Sequence, residues 1–244
     1  MLNETEIDPL AGCLRISKTA KTGPTIGGPA GPSCPGMRAS LKLGAEGVCA
    51  FCYAASGKMS GKADKAGGLR SKPTRYRTPP VQAIRDYNMA LVKAALAISE
   101  RCCTDLYKRS LRQVRGDVFR LNDSGDLHSV VQVRALATAI RELRAEGWNV
   151  RVWVPTRTWT VDRFLAPLRD LATVEGVSVR PSALGFDQAP PVVAGLHAGT
   201  SAERVKGASG ADAQCPVGGA VKSCAAAGCD QCWRPELTVA YHEH

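Results

Sequence analysis

Ten cysteines stand in this 244-residue chain: Cys13, Cys34, Cys49, Cys52, Cys102, Cys103, Cys215, Cys224, Cys229 and Cys232. Four of them, Cys215, Cys224, Cys229 and Cys232, fall within 18 residues, separated by eight, four and two positions. Four thiolates on one loop can close a tetrahedral zinc site or hold the four corners of a four-iron cluster. Short loops close on a metal at modest entropic cost. Pro216 follows the first of these cysteines, as proline follows a ligating cysteine in ferredoxin-type runs. Trp233, after the last, is placed to keep water off the site. The spacing does not choose between zinc and iron–sulfur.

A second group has three members, Cys34, Cys49 and Cys52, with gaps of fourteen and two. Three protein ligands leave one metal position open, the mark of a catalytic site. Cys13 is an alternative fourth ligand, reached through a Gly/Pro-rich loop. A zinc ribbon pairing Cys49/Cys52 with Cys229/Cys232 is a further alternative, but it strands Cys34, Cys215 and Cys224. Cys102 and Cys103 are neighbours in an expected helix and point about 100° apart, so they read as small buried hydrophobes. Cysteine is about 4% of the chain, below the ~8–10% of a disulfide scaffold. Met1–Leu10 is acidic and polar, unlike a secretory leader. Clustered thiols in a reducing cytosol point to metal.

The elements that must position these groups alternate. Residues 1–36 are rich in Gly and Pro, with a short strand expected at Leu14–Ile16. A helix, or a pair of helices, is expected from about Pro80 to Arg115. Val118–Leu121 reads as a strand, Ser129–Glu146 as a helix, Asn149–Val154 as a strand, Val161–Ala172 as a helix and Val177–Arg180 as a strand. This order implies parallel strands joined by right-handed crossovers. Residues 185–214 are weakly patterned, and Leu237–Tyr241 is a candidate last strand. The chain reads as one α/β domain over 1–244, with a cysteine-bearing N-terminal region (1–79), a βα core (80–184) and a C-terminal segment (185–244) carrying the four-cysteine loop.

Each core strand ends in polar residues. Asn122, Asp123, Ser124, Gly125 and Asp126 follow the first, Thr156, Arg157 and Thr158 the second, and Arg180 and Ser182 close the third. In parallel α/β architectures the carboxyl ends of the strands share one rim, and that rim carries the site. Asp126 and Asn122 suit an amine or a ribose hydroxyl, and Arg157 and Arg180 a carboxylate or phosphate. Local turn chemistry explains any one cluster; three in succession favour a site.

The net charge of +10, from 32 Lys+Arg against 22 Asp+Glu, fits a polyanionic partner. The basic stretch Lys58–Arg77 and the group Arg101, Lys108, Arg109, Arg112 and Arg115 are the candidates. Aromatic residues are only 5%, which argues against a stacking platform for single strands. No run of 18 apolar residues offers a transmembrane helix.

The ordered set Ile16–Lys21, Cys34-Pro35-Gly36, Cys49-Ala50-Phe51-Cys52-Tyr53-Ala54, Ser124-Gly125-Asp126, Thr156–Trp159, Arg180-Pro181-Ser182 and Cys215–Trp233 resembles the bacteriophage "gene product 88" domain family. The resemblance runs over roughly 14–235 and implies a phage or prophage origin, in the cytoplasm of a bacterial host. Cys49-Ala50-Phe51-Cys52 more distantly resembles the motif of radical S-adenosylmethionine enzymes, although those have three residues between their first two cysteines and this chain has fourteen. That resemblance implies a partial parallel (β/α) barrel. It implies a reactive 4Fe-4S cluster on Cys34, Cys49 and Cys52, and a second cluster on Cys215, Cys224, Cys229 and Cys232. Asn122, Ser124, Gly125, Asp126, Thr156 and Ser182 would bind S-adenosylmethionine, with Asp126, Arg157 and Arg180 as catalytic residues. A ferredoxin or flavodoxin would serve as reductant. The expected function is radical chemistry on a nucleotide or nucleic acid; the alternative is a non-catalytic nucleic-acid-binding protein stapled by zinc or iron–sulfur.

Overall fold

The computed structural model describes residues 16–19, 23–26, 34–51, 99–114, 116–122, 125–218 and 220–242. The expected basic stretch at 57–79, the helix before Ser99, Cys13, Cys52, Ser124 and Arg115 lie outside them. The strands are β1 (Ile16–Thr19), β2 (Gly23–Ile26), β3 (Val118–Leu121), β4 (Arg151–Thr156), β5 (Val177–Phe186), β6 (Thr200–Glu203), β7 (Ala213–Gln214) and β8 (Val239–His242). The helices are α1 (Met37–Leu41), α2 (Glu100–Leu111), α3 (Val130–Ala145) and α4 (Asp162–Ala172). The sheet order is β1-β2-β3-β4-β5-β6-β8-β7. Among the described strands β1 and β2 pair antiparallel and the other strand pairs are parallel.

Period-two patterning gives the sheet two different faces. Phe119, Leu121, Val152, Val154, Val177 and Val179 are buried with the apolar stripes of α2, α3 and α4, including Leu106, Leu136, Ile140, Phe164 and Leu168. Cys102 and Cys103 are half-buried against this core, and burial pushes the Cys103 thiol up to about 12. The opposite face carries Trp153 and Tyr241. Their rings stack 5.9 Å apart although β5 and β6 separate β4 from β8 in the sheet. Side chains that close across two strands require curling, and the six strands β2-β3-β4-β5-β6-β8 form a half-barrel.

Helix ends follow local chemistry. Ser129 caps α3 by accepting from Gln132 N, and Ser99 caps α2 by accepting from Cys102 N, each satisfying an otherwise orphaned amide. Lys108 and Arg112 of the expected basic group pair with Glu142 of α3 and with Glu146 at its C-terminal cap. These cations therefore tie α2 to α3.

The sheet turns a corner at β5. Val177–Pro181 pairs with β4, while Ser182 and Phe186 pair with β6 across a register shift. Pro181 sits where the strand changes partner, a place that tolerates a missing N–H. β6 ends in the fully buried Glu203, which accepts from Gly207 N, Ser209 N and the Ser209 hydroxyl. Burial pushes this carboxyl up, but the Ser209 and Gly207 donors outweigh it and hold it below its ordinary 4.5. The folded state thus binds fewer protons than the unfolded chain. The stability Glu203 contributes is present above the ordinary value and is lost as pH falls through the lowered one. The melting temperature of Glu203→Gln should therefore fall furthest below wild type above about pH 5, the gap narrowing on acidification. A gap independent of pH would contradict this.

Candidate functional site

The carboxyl ends of β3 and β4 are joined by one carboxylate. After Leu121 the chain passes through Asn122 in the left-handed region (φ 57) and Gly125 (φ 74), conformations that Asn and Gly tolerate best. Asp126 lies against the end of β4. Its Oδ1 accepts from Thr156 Oγ1 (2.7 Å) and Leu127 N (2.8 Å), and its Oδ2 accepts from Arg157 N (2.7 Å). Asn122 Nδ2 donates to Pro155 O (3.0 Å) and to Asp126 Oδ1 (3.4 Å). Asp126 is 7% exposed. Burial pushes its carboxyl above the ordinary range, against the pull of the Thr156 hydroxyl, the Arg157 and Leu127 amides and the Arg157 charge.

Arg157 stands at the rim. Its Nε donates to Ala183 O (2.9 Å), and among the described residues its two terminal nitrogens take no hydrogen-bonding partner. Thr158 and Trp159 follow in a single 3-10 turn, and Trp159 Nε1 donates to Ser182 O. Ser182 is buried and accepts from Thr200 Oγ1.

The segment carrying Cys34 and Cys49 lies on this rim. It consists of α1 and two 3-10 turns, Gly44–Glu46 and Val48–Phe51, where the sequence suggested an irregular loop. Gly36 packs on the Arg157 backbone so closely that an added Cβ would fall 2.5 Å from Arg157 Cβ and closer still to its carbonyl. Its φ of −79° is ordinary, so space alone requires glycine here. Ser40, fully buried, donates through its hydroxyl to Leu184 O (2.6 Å) and accepts from Cys49 N (3.0 Å). Gly47 bridges to Gly185, and Arg204 donates to Ala45 O (3.0 Å). These contacts reach residues following β4, the far half of β5 and the end of β6. Cys34 and Cys49 are both half-buried on this segment.

Ser40→Ala removes the Ser40 hydroxyl that partners the half-buried Leu184 carbonyl and the Cys49 amide, at a cost of about 1–3 kcal/mol. Alkylation of Cys49, followed by mass spectrometry, should accelerate in this variant; an unchanged rate would show that Ser40 does not hold the segment down.

The C-terminal cysteines occupy a different place. Cys215, Cys224 and Cys232 are buried together with Trp153, Val217, Trp233 and Val239 on the concave face. Trp233 packs in this cluster, meets Trp153 edge-on at 5.8 Å and donates Nε1 to Phe119 O of β3. Asp230 pairs with Arg151 at the start of β4 (3.1 Å). Cys232 Sγ lies 3.2 Å from Tyr241 Oη, and burial pushes its thiol up to about 11. Cys229 is half-buried and outside the cluster. The donor chemistry suits a thiophilic metal. The arrangement is not a closed coordination set, because among the described residues no group of three or more His, Cys, Asp or Glu side chains is placed to hold a metal ion.

The expected site residues therefore divide. Asn122, Gly125, Asp126, Thr156, Arg157 and Ser182 converge on the rim. Arg180 does not join Arg157: it is fully buried and donates to Ala198 O, Gln231 O and Gly199 O, beside Cys232 and Tyr241. Ser40, Gly47 and Arg204, which seat the cysteine segment, carried no sequence signal. Arg120 and Trp153 carried one, by alternating with the apolar residues of β3 and β4.

Fold and site together define a half-barrel α/β protein with one cysteine segment over its carboxyl-end rim and another against its concave face. The chain belongs to the Gene product 88 family, which matches residues 11–234. No curated protein and no solved structure matches it. Among the described residues no helix is long and apolar enough to cross a membrane.

Proposed function

We propose that this is an iron–sulfur protein in which Cys34, Cys49 and Cys52 hold an open-sided four-iron cluster over the rim. In this reading it acts as a radical S-adenosylmethionine-like enzyme on a nucleotide or nucleic acid in the cytoplasm of a phage-infected host. The observation that carries the reading is the seating of the Cys34–Phe51 segment on Arg157, Leu184 and Gly185. It sets two of the three thiols at the end of a parallel sheet where such folds bind ligands. When bound, such a cluster supplies the electron that cleaves S-adenosylmethionine, with ferredoxin or flavodoxin as donor.

The chain's own residues then have separate tasks. The terminal nitrogens of Arg157, without hydrogen-bonding partners among the described residues, suit the carboxylate of the cofactor or a phosphate of the substrate. Asp126 positions Arg157 and Thr156, its oxygens being taken up by their donors. The α1 segment covers the rim and excludes water.

A second reading, a non-catalytic nucleic-acid-binding protein stapled by zinc or iron–sulfur, draws on one observation: Asp126, Thr156 and Ser182 hydrogen-bond to other parts of the protein. The two are separated by anaerobic incubation of reduced protein with S-adenosylmethionine. Methionine and 5′-deoxyadenosine formed by wild type and absent with Cys52→Ala support the enzyme. No cleavage, together with DNA binding that falls steeply with salt and is unaffected by Arg157→Ala, supports the binding protein.

A further inference from the structure

Three strands beyond β5 end together at a cleft. β6, β8 and β7 are neighbours and run parallel, so their carboxyl ends share one side of the sheet, the side at which parallel α/β folds bind ligands. The cleft there measures about 520 Å³, within the ~300–1,000 Å³ of small-molecule sites. Gln214 and His242, the last residues of β7 and β8, line it with Pro216, Val217 and Lys206, the last of which follows β6. None of its lining side chains is acidic. Among the described residues the Lys206 ammonium and the His242 ring make no hydrogen bond or ion pair.

Gln214 is oriented from behind. Its Nε2 donates to Glu203 Oε1 (3.4 Å), and Glu203 also accepts from the Ser209 hydroxyl and from the Gly207 and Ser209 amides. A carboxylate only accepts, so the amide nitrogen of Gln214 faces it and the amide oxygen points away. That Oε1 is buried and has no hydrogen-bonding partner among the described residues, and a buried acceptor left unpaired is costly. The cleft thus combines two basic groups, an acceptor that needs a donor, and an apolar wall of Pro216 and Val217. Lysine and histidine offer single-point contacts that suit a phosphate, rather than the two-pronged fork that arginine gives a carboxylate.

We propose that this cleft binds a nucleoside monophosphate, with the phosphate on Lys206 and His242 and an N–H of the base on Gln214 Oε1. Glu203 is a positioning residue, because it sets the direction of the Gln214 amide without reaching the ligand. The inference rests on the reading that the protein acts on a nucleotide or nucleic acid. It places the nucleotide phosphate at the β6-β8-β7 end of the sheet and leaves Arg157 to the cofactor carboxylate.

The test titrates full-length protein calorimetrically with adenosine, guanosine, cytidine and uridine 5′-monophosphates and with the four nucleosides. At least one monophosphate should bind, about tenfold or more tighter than its nucleoside. Lys206→Ala, at an exposed side chain, should weaken that binding about tenfold and Gln214→Met about fivefold, while Arg157→Ala leaves it unchanged. Equal affinity for a monophosphate and its nucleoside overturns the phosphate site. Binding kept in Lys206→Ala and Gln214→Met but lost in Arg157→Ala overturns the cleft and leaves the nucleotide reading standing. No binding of any of the eight compounds to wild type overturns the inference and the nucleotide reading together.

Discussion

Replacing Asp126 by alanine is expected to lower the melting temperature by roughly 10 °C, through a loss of about 3–5 kcal/mol. Donors from Thr156, Arg157, Leu127 and Asn122 converge on this buried carboxylate, and alanine deprives all of them of this acceptor at the junction of β3 and β4. Asp126→Asn keeps one acceptor oxygen but turns an amide toward a donor, so it should fall between wild type and alanine. Thermal melts followed by circular dichroism decide the matter. An Asp126→Ala protein as stable as wild type would mean that the carboxylate does not organise the rim. Any loss of activity in that variant would then have to come from direct contact with a ligand.

The second large effect is expected at Gly36. Valine there collides with Arg157 backbone atoms on the other side of the contact, and overpacking of this kind costs about 1–3 kcal/mol. The core between the sheet and α2, α3 and α4 does not involve Gly36, so the protein should still fold while the Cys34–Phe51 segment lifts from the rim. Limited proteolysis should cut within residues 34–51 about tenfold faster in Gly36→Val, against the slow cleavage of a docked segment. Gly36→Ala should show the same change more weakly. Unchanged proteolysis would contradict the seating of the cysteine segment.

Much of the core was legible because it obeys simple periods. Val118–Leu121 is a strand as expected, and α3 runs between its Ser129 cap and Glu146. α4 and the start of β5 also fall where the apolar pattern placed them, and β4 lies two residues later at each end. The alternating parallel architecture followed from that order.

What was not legible lacked apolar contrast. β6 is Thr200–Glu203 and β7 only Ala213–Gln214; β6 buries Thr200, Ser201 and Glu203, polar residues that no apolar period marks. β2 contains Gly23 and Pro24, ordinarily loop residues, and β1 runs over Ile16–Thr19, sharing Ile16 with the expected Leu14–Ile16, of which the rest lies outside the described residues. β5 continues through Pro181 and Gly185 to Phe186 because its second half changes partner, which no local pattern announces. The polar residues that follow β3 and β4 lie together at the rim. Arg180 was misleading, since alternation along β5 carries it to the concave face while Arg157 follows the end of β4.

The central claim, a cluster held at the rim by Cys34, Cys49 and Cys52, is tested most directly by iron, zinc and acid-labile sulfide analysis of anaerobically purified protein. Wild type is compared with Cys49→Ala/Cys52→Ala. About four irons and four sulfides per chain lost in the variant is the predicted result for a four-iron cluster on these three cysteines. Iron and sulfide contents unaffected by the two substitutions, or zinc without sulfide, would contradict it.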